Sequence, residues 1–241
     1  MAFTPGTNAR YYVGPQRFSV FGKSLSMSTT TAQLDASTHE DTAMVYINGQ
    51  QTGTASIEML MDTAYATTSQ FTTLNTWATT PQPVTLGMDG VANSAAVWMI
   101  LGNQSSVTYD SPVADIVTAN VAIQPDGPMD LGSVIATEAA VTTTTNGTAI
   151  DLTASSTNGG VVHIHTTAFA GLTSNVITVE GSANGTTGWG LVTGATSATI
   201  GAVGSERITI AAGTSVPRYL RVVDTIVGTG STTRVVTFAR R

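Results

Sequence analysis

Cysteine is absent from the 241 residues. That removes disulfides, thiolate nucleophiles and thiolate metal sites together. Positive charge is almost as scarce: Lys23 is the one lysine, and no Lys or Arg follows it until Arg207. Nucleic-acid binders need such side chains to displace counterions from phosphate, so residues 1–130, with three bases against ten acids, offer no conventional DNA-binding surface. Charged residues of all kinds make up 10%, against about a quarter in ordinary domains. No apolar run approaches the roughly 18 residues of a membrane-spanning helix, and the longest, AAVWMIL at 95–101, suits a buried strand. The opening MAFTPGTNAR lacks the basic-then-apolar order of a secretory signal. Cytoplasmic synthesis without export by the usual signals, and no membrane partner, are therefore expected.

What is present is threonine, at 44 residues, with 24 glycines and an apolar fraction of 41%. Thr is stiff at χ1 and suits strands, so a mainly β protein is expected. The stretch QTGTASIEMLMD (51–62) alternates strictly: Ala55, Ile57, Met59 and Met61 point one way, and Ser56, Glu58, Leu60 and Asp62 the other. A period of two is a half-buried strand. Its polar face carries two carboxylates with no base nearby in sequence, which reads as an acidic, uncompensated face.

Charge also divides the chain. Residues 1–130 hold ten acids and three bases, a net of −7, while 131–241 hold five acids and six bases. QPDGPMDLGS (124–133) reads as a linker or long turn, so one domain is expected over 1–130 and a second over 131–241. In the first, residues 1–16 read as an extended arm, with Pro5, Gly6, Gly14 and Pro15 and little periodicity. Residues 32–53 read as a long loop around Asp35, His39, Glu40, Asp41 and the Asn48–Gly49 turn. One short helix is expected at about 67–80, from a Thr67/Gln70 capping box, a Phe71, Leu74, Trp77 stripe, and a stop at Pro81 and Pro83. After residue 134 short strands and Asn-Gly turns recur, the pattern of an antiparallel β-sandwich.

Chemistry is hard to find. The sequence has no Gly-x-Ser-x-Gly elbow and no phosphate loop. His163 and His165 share a strand face and read as polar surface residues beside a sheet edge, or as a two-imidazole metal site, a weak signal without a third ligand. Glu40–Asp41 read as solvated loop. Trp189, among glycines at 181–194, reads as a core plug over the end of a sandwich or as a sugar-binding loop. No catalytic residue, cofactor or metal is expected, and no enzymatic activity.

The segment FGKSLSMSTTTAQLDASTHEDTAMVYINGQQTGTASIEMLMD (21–62) runs from strand through polar loop and Asn-Gly turn to strand. With the helix and the strands after it, this order resembles the tail tube, or major tail, proteins of long non-contractile-tailed phages (siphophages). The segment ERITIAAGTSVPRYLRVVDTIVGTGSTTRVVTFAR (206–240) resembles the sandwich that ends many actinobacteriophage tail proteins. The resemblance implies a tail-tube-like antiparallel sandwich or barrel with one helix, plus an outer C-terminal β-sandwich. It implies a structural virion protein whose homo-oligomeric, hexameric rings stack into a hollow tube for genome ejection. DNA would pass without sequence-specific binding, and the tape measure, tail tip and terminator proteins would be partners. On that footing Glu58 and Asp62 are candidates to face an acidic lumen, which would repel phosphate. Asp35, His39, Glu40, Asp41, Asn48 and Gly49 are candidates for an inter-subunit loop, and Phe3, Arg10, Tyr11 and Tyr12 for an inter-ring arm. The competing expectation is a virion decoration or adhesion protein with a glycan-binding C-terminal sandwich.

Overall fold

The computed structural model describes residues 6–61 and 70–241. The chain is mainly β, as composition requires. The first strands are β1 (Arg10–Val13), β2 (Gln16–Arg17), β3 (Gly22–Asp35) and β4 (Tyr46–Leu60), followed by α1 (Gln70–Trp77). Then come β5 (Gln82–Gly87), β6 (Ala96–Asp110), β7 (Thr118–Pro125), β8 (Asp130–Val141), β9 (Thr145–Asn146) and β10 (Ile150–Asp151). The last four are β11 (Gly160–Ser182), β12 (Gly190–Thr196), β13 (Gly204–Ile210) and β14 (Tyr219–Arg240). The ladders are antiparallel and run in the order β12-β11-β14-β8-β6-β5-β1-β2. A branch carries β7, β4 and β3 outward from β6, and β13 lies on β11. Among the described residues no helix is long and apolar enough to cross a membrane.

Three cores form. Tyr11, Val13, Phe18, Ile57, Met59, Leu74, Trp77, Val84, Leu86, Ile100, Val121 and Ile123 pack together in the first half. Val162, Ile164, Ile177, Val179, Leu220, Val222, Val236 and Phe238 pack in the second. A third cluster draws on both: Tyr12, Val97 and Met99 meet Val134, Val161, Val235 and Ala239. Residues 126–129 form a turn between β7 and β8, with Gly127 at φ +99°. Strand β8 then pairs with β6 on one side and β14 on the other. Ladder and core as well as chain therefore join the halves.

The alternation read in 51–62 is realised: Ala55, Ile57 and Met59 are buried and Met61 packs against their core. Within the described residues the expected helix runs from Gln70 and ends at Trp77, before residue 80, and Thr67 lies outside them. Leu74 and Trp77 are buried, the indole N–H donating to the Gly102 carbonyl at 2.6 Å. Phe71 departs from the expected stripe. It is exposed and tilts against the Tyr109 ring, 5.9 Å away.

Two expected irregular segments are strands. Arg10, Tyr11 and Tyr12, expected on a free arm, lie on β1 between β5 and β2. Tyr11 and Tyr12 are buried, and the Tyr12 hydroxyl donates to Glu138 at 3.0 Å. The reason is their alternate placement: Tyr11 faces the first core and Tyr12 the shared one, whereas Pro and Gly dominate the sequence around them. Phe3 lies outside the described residues. The expected loop 32–53 is largely the far half of a β3–β4 hairpin, which pairs from Gly22↔Met59 to Asp35↔Tyr46. Its polar, threonine-rich strands lack an alternating apolar signal because neither face there is buried.

Candidate assembly surface

Strand β4 pairs with β7 only from Ala55 onward, while β3 accompanies it all the way to Tyr46. Residues 50–53 flank the turn after β7, with Gln124 Nε2 donating to the Gly53 carbonyl at 3.3 Å, and residues 46–49 with their partners stand clear beyond it. At about 3.3 Å per residue this overhang is about 13 Å long before the tip. Gly53 marks the point of exit, because Met129 occupies the space that a Cβ would need.

The tip is ordered by its own polar groups. Ser37 N–H donates to Asp35 Oδ1 at 2.9 Å, and Thr38 N–H and hydroxyl both donate to Asp41 Oδ2, at 2.6 and 3.0 Å. Val45 N–H donates to Ser37 Oγ at 2.9 Å. The Ser37 hydrogen bonds hold the Asp35 carboxyl below the usual carboxylate range. His39 and Glu40 are exposed between them. Asn48 accepts from Gln33 Nε2 at 2.9 Å, and Gly49 sits where the register shifts. Around this frame Leu34, Met44, Val45, Tyr46 and Ile47 are all exposed, Met44 at 71%. None of them was singled out from sequence. The signal available was an apolar MVYI run at 44–47 inside a stretch too polar to form a core.

A second apolar surface lies at the opposite end of the same sheet. Leu60 of β4 pairs with Thr118 of β7, which pairs with Asp110 of β6. The turn 111–117 therefore lies at the base, away from the tip. Val113 is fully exposed, and Val20, Phe71, Tyr109 and Ile116 are between 45% and 60% exposed.

The polar face of the hairpin corrects the acidic reading. Lys23 Nζ lies 2.8 Å from Glu58 Oε1, and Ser24 donates to the other carboxylate oxygen at 3.2 Å. Lys23 and then Ser24 hold the Glu58 carboxyl below its ordinary value. Glu58 is thus compensated by a base 35 residues away that the hairpin brings across the ladder. Next along are Ser26–Ser56 at 2.8 Å and Ser28–Thr54 at 3.0 Å, a row of paired hydroxyls. Asp62 lies outside the described residues.

The other singled-out groups are structural. His163 and His165 are wholly buried on β11, which has β14 on one side and β13 on the other, not at a sheet edge. His165 Nδ1–H donates to the Gly14 carbonyl at 2.7 Å, and its Nε2 accepts from Thr85 at 2.8 Å. Tyr12 stacks on its ring at 5.4 Å. Burial pushes the His165 pKa down to about 4. Burial, with the neighbouring His165 and Arg207 charges, pushes His163 down well below its ordinary value. Among the described residues no cluster of three or more His, Asp or Glu suits a metal. Trp189 is half-buried, not a plug: Arg221 lies over its ring at 4.4 Å and pairs with Glu180 at 2.6 Å.

No family model and no curated protein sequence matches the chain. Among solved structures it is similar to a chain of the virion of a native gene transfer agent particle, with 9% identity and a TM-score of 0.45. That similarity covers 54% of this chain and 98% of the other. The SPP1 tail tube gives a TM-score of 0.39 at 8% identity, over 53% of this chain and 78% of that one. The SPP1 Dit protein, described as a hub adsorption apparatus, gives 0.38 at 9% identity, over 96% and 98%.

Proposed function

We propose that this chain is a structural tail protein of a virion that associates with itself head to tail, as rings stacked into a tube. The observation that carries the reading is the pair of apolar surfaces at opposite ends of one sheet: Met44, Tyr46 and Ile47 at the tip, Tyr109, Val113 and Ile116 at the base. A contact between unlike surfaces is heterologous; repeated by rotation it closes a ring, and repeated by translation it builds a filament. Covering both patches removes apolar surface from water at about 25 cal/mol per Å². The polar face of β3 and β4 is the channel wall in this reading, with sixfold rings and other tail proteins as neighbours. Lys23 is neutralised there by Glu58, so a passing phosphate meets hydroxyls and no free cation. That replaces repulsion by an acidic wall with the absence of a sticking point.

The test compares the purified chain with a Tyr46→Ser/Ile47→Ser variant by sedimentation velocity and negative-stain electron microscopy over a concentration series. The parent is expected to reach rings or hollow tubes, and the variant to stay small with an unchanged denaturation midpoint. Tubes of normal length from the variant would overturn the role given to the tip.

A further inference from the structure

The chain contains four Asn-Gly steps, at 48–49, 146–147, 158–159 and 184–185. Such a step is chemically labile. The glycine nitrogen, losing its proton, attacks the asparagine Cγ and expels ammonia, leaving a five-membered succinimide. Water then opens the ring on either side, giving aspartate or isoaspartate, in which the main chain runs through the side-chain carbonyl. Water is the only co-reactant. The backbone must fold over the side chain for the attack, so a glycine N–H engaged in a hydrogen bond, or a clamped carboxamide, suppresses it.

At three of the steps the fold supplies that restraint. Gly147 N–H donates to the Val222 carbonyl at 2.7 Å and Gly159 N–H to the Thr214 carbonyl at 3.2 Å. Gly185 N–H donates to Ser182 Oγ at 3.1 Å. The Asn184 carboxamide is clamped as well, Oδ1 accepting from the N–H groups of Thr186 and Thr187 at 3.0 and 2.9 Å. Asn48–Gly49 sits differently. Between the pairs Gln33↔Asn48 and Thr31↔Gln51, Gly49 and Gln50 face Ala32 alone, which is a bulge. A bulge interrupts the ladder and bends its strand. Asn48 is exposed there on the free-standing hairpin, and its carboxamide is held by the equally exposed Gln33.

We infer that Asn48 is a site of spontaneous deamidation, the one Asn-Gly step of the chain that sits on a bulge of the exposed β3–β4 ladder. Conversion replaces a neutral amide by a carboxylate three residues from Val45. As isoaspartate it also inserts a methylene into the main chain of β4 and displaces the tip relative to the body. The chemistry rests on hairpin geometry alone. Its consequence, that subunits age out of assembly competence unless the hairpin is docked, rests on the head-to-tail reading above.

The experiment incubates the purified full-length chain at mildly alkaline pH and follows each Asn-Gly peptide by mass spectrometry, with isoaspartate-specific methyltransferase labelling. Conversion is expected at Asn48 several-fold faster than at the other three, with that order lost in denaturant and the Asn48 signal abolished in Asn48→Gln. Gly49→Ala, whose added methyl would crowd Leu34 and Ala32, is expected to slow it. Equal or faster conversion at 146, 158 or 184 in the folded chain would overturn the assignment. In a second arm, material enriched in converted chain is compared with fresh chain for tube formation. Equal assembly would sink the ageing consequence and leave the modification site standing.

Discussion

Acid should weaken this fold well before its carboxylates protonate. His165 has an unfolded pKa of about 6.5 and a folded value pushed down to about 4 by burial. A depressed histidine value means that the unfolded chain binds the proton more readily. The stabilisation is therefore complete above pH 6.5, falls as pH drops through the window from 6.5 to 4, and levels off below it. Each pH unit inside the window costs about 1.4 kcal/mol per histidine, so at pH 5 His165 alone removes about 2 kcal/mol. His163, also depressed by burial, adds a loss of the same sign. Against a total stability of about 5–15 kcal/mol this is large. Urea unfolding read through Trp77, whose indole is buried in the first core, should show a midpoint moving down between pH 7 and pH 5. In His165→Gln the pH-dependent part should shrink by about 2 kcal/mol, whatever the substitution costs at neutral pH. A midpoint that does not change between pH 7 and pH 5 would refute the reasoning, since it would mean that the folded state accommodates both charged imidazoles.

Other substitutions separate core from surface. Ile57→Ala, at a fully buried position, should cost about 2–5 kcal/mol by the usual cavity arithmetic, measured by equilibrium unfolding. Arg234→Met leaves Asp224 buried without the partner that it holds at 2.6 Å, and should cost about 3–5 kcal/mol. Partial recovery on adding Asp224→Leu is expected, and its absence would mean that the loss is one of packing. Lys23→Ala breaks a pair whose side chains are 48% and 37% exposed, so the urea midpoint should move little. Glu58→Gln should instead release Lys23 and give the chain a salt-dependent retention on DNA that the parent lacks.

The sequence was most legible where one face is buried and the other wet. Ala55, Ile57 and Met59 alternate with Ser56 and Glu58, and a period of two can belong only to such a strand. Leu74 and Trp77 announced the helix in the same way. Legibility failed where pairing is long-range. Nothing local tells Glu58 that Lys23 lies opposite, since the ladder alone sets that register. His163 and His165 look like polar residues on one strand face until β5 delivers Thr85 and the Gly14 carbonyl arrives from the N-terminal segment. The far half of the β3–β4 hairpin reads as loop because its residues face water on both sides and carry no periodicity. Tyr11 and Tyr12 read as an arm because their glycine and proline neighbours outweigh a four-residue strand.

The free-standing hairpin fits the subunit role proposed above. Two strands alone are at best marginally stable in water, and this pair holds its form through the base where β4 joins β7. Among the described residues its outer strand, β3, pairs with β4 alone and leaves a 14-residue edge. Monomers blunt such edges with lysines, prolines or a covering element. Here the edge reads GKSLSMSTTTAQLD, with one lysine, already committed to Glu58, and no proline. Its two bulges lie near the ends, one at Lys23 and one opposite Ala32, and leave residues 24–31 between them regular. An edge this long and this lightly defended, with exposed apolar side chains at both ends of its sheet, is a liability in a lone molecule. It ceases to be one when a neighbouring copy supplies the missing strand contacts at the side and the missing apolar contacts at tip and base.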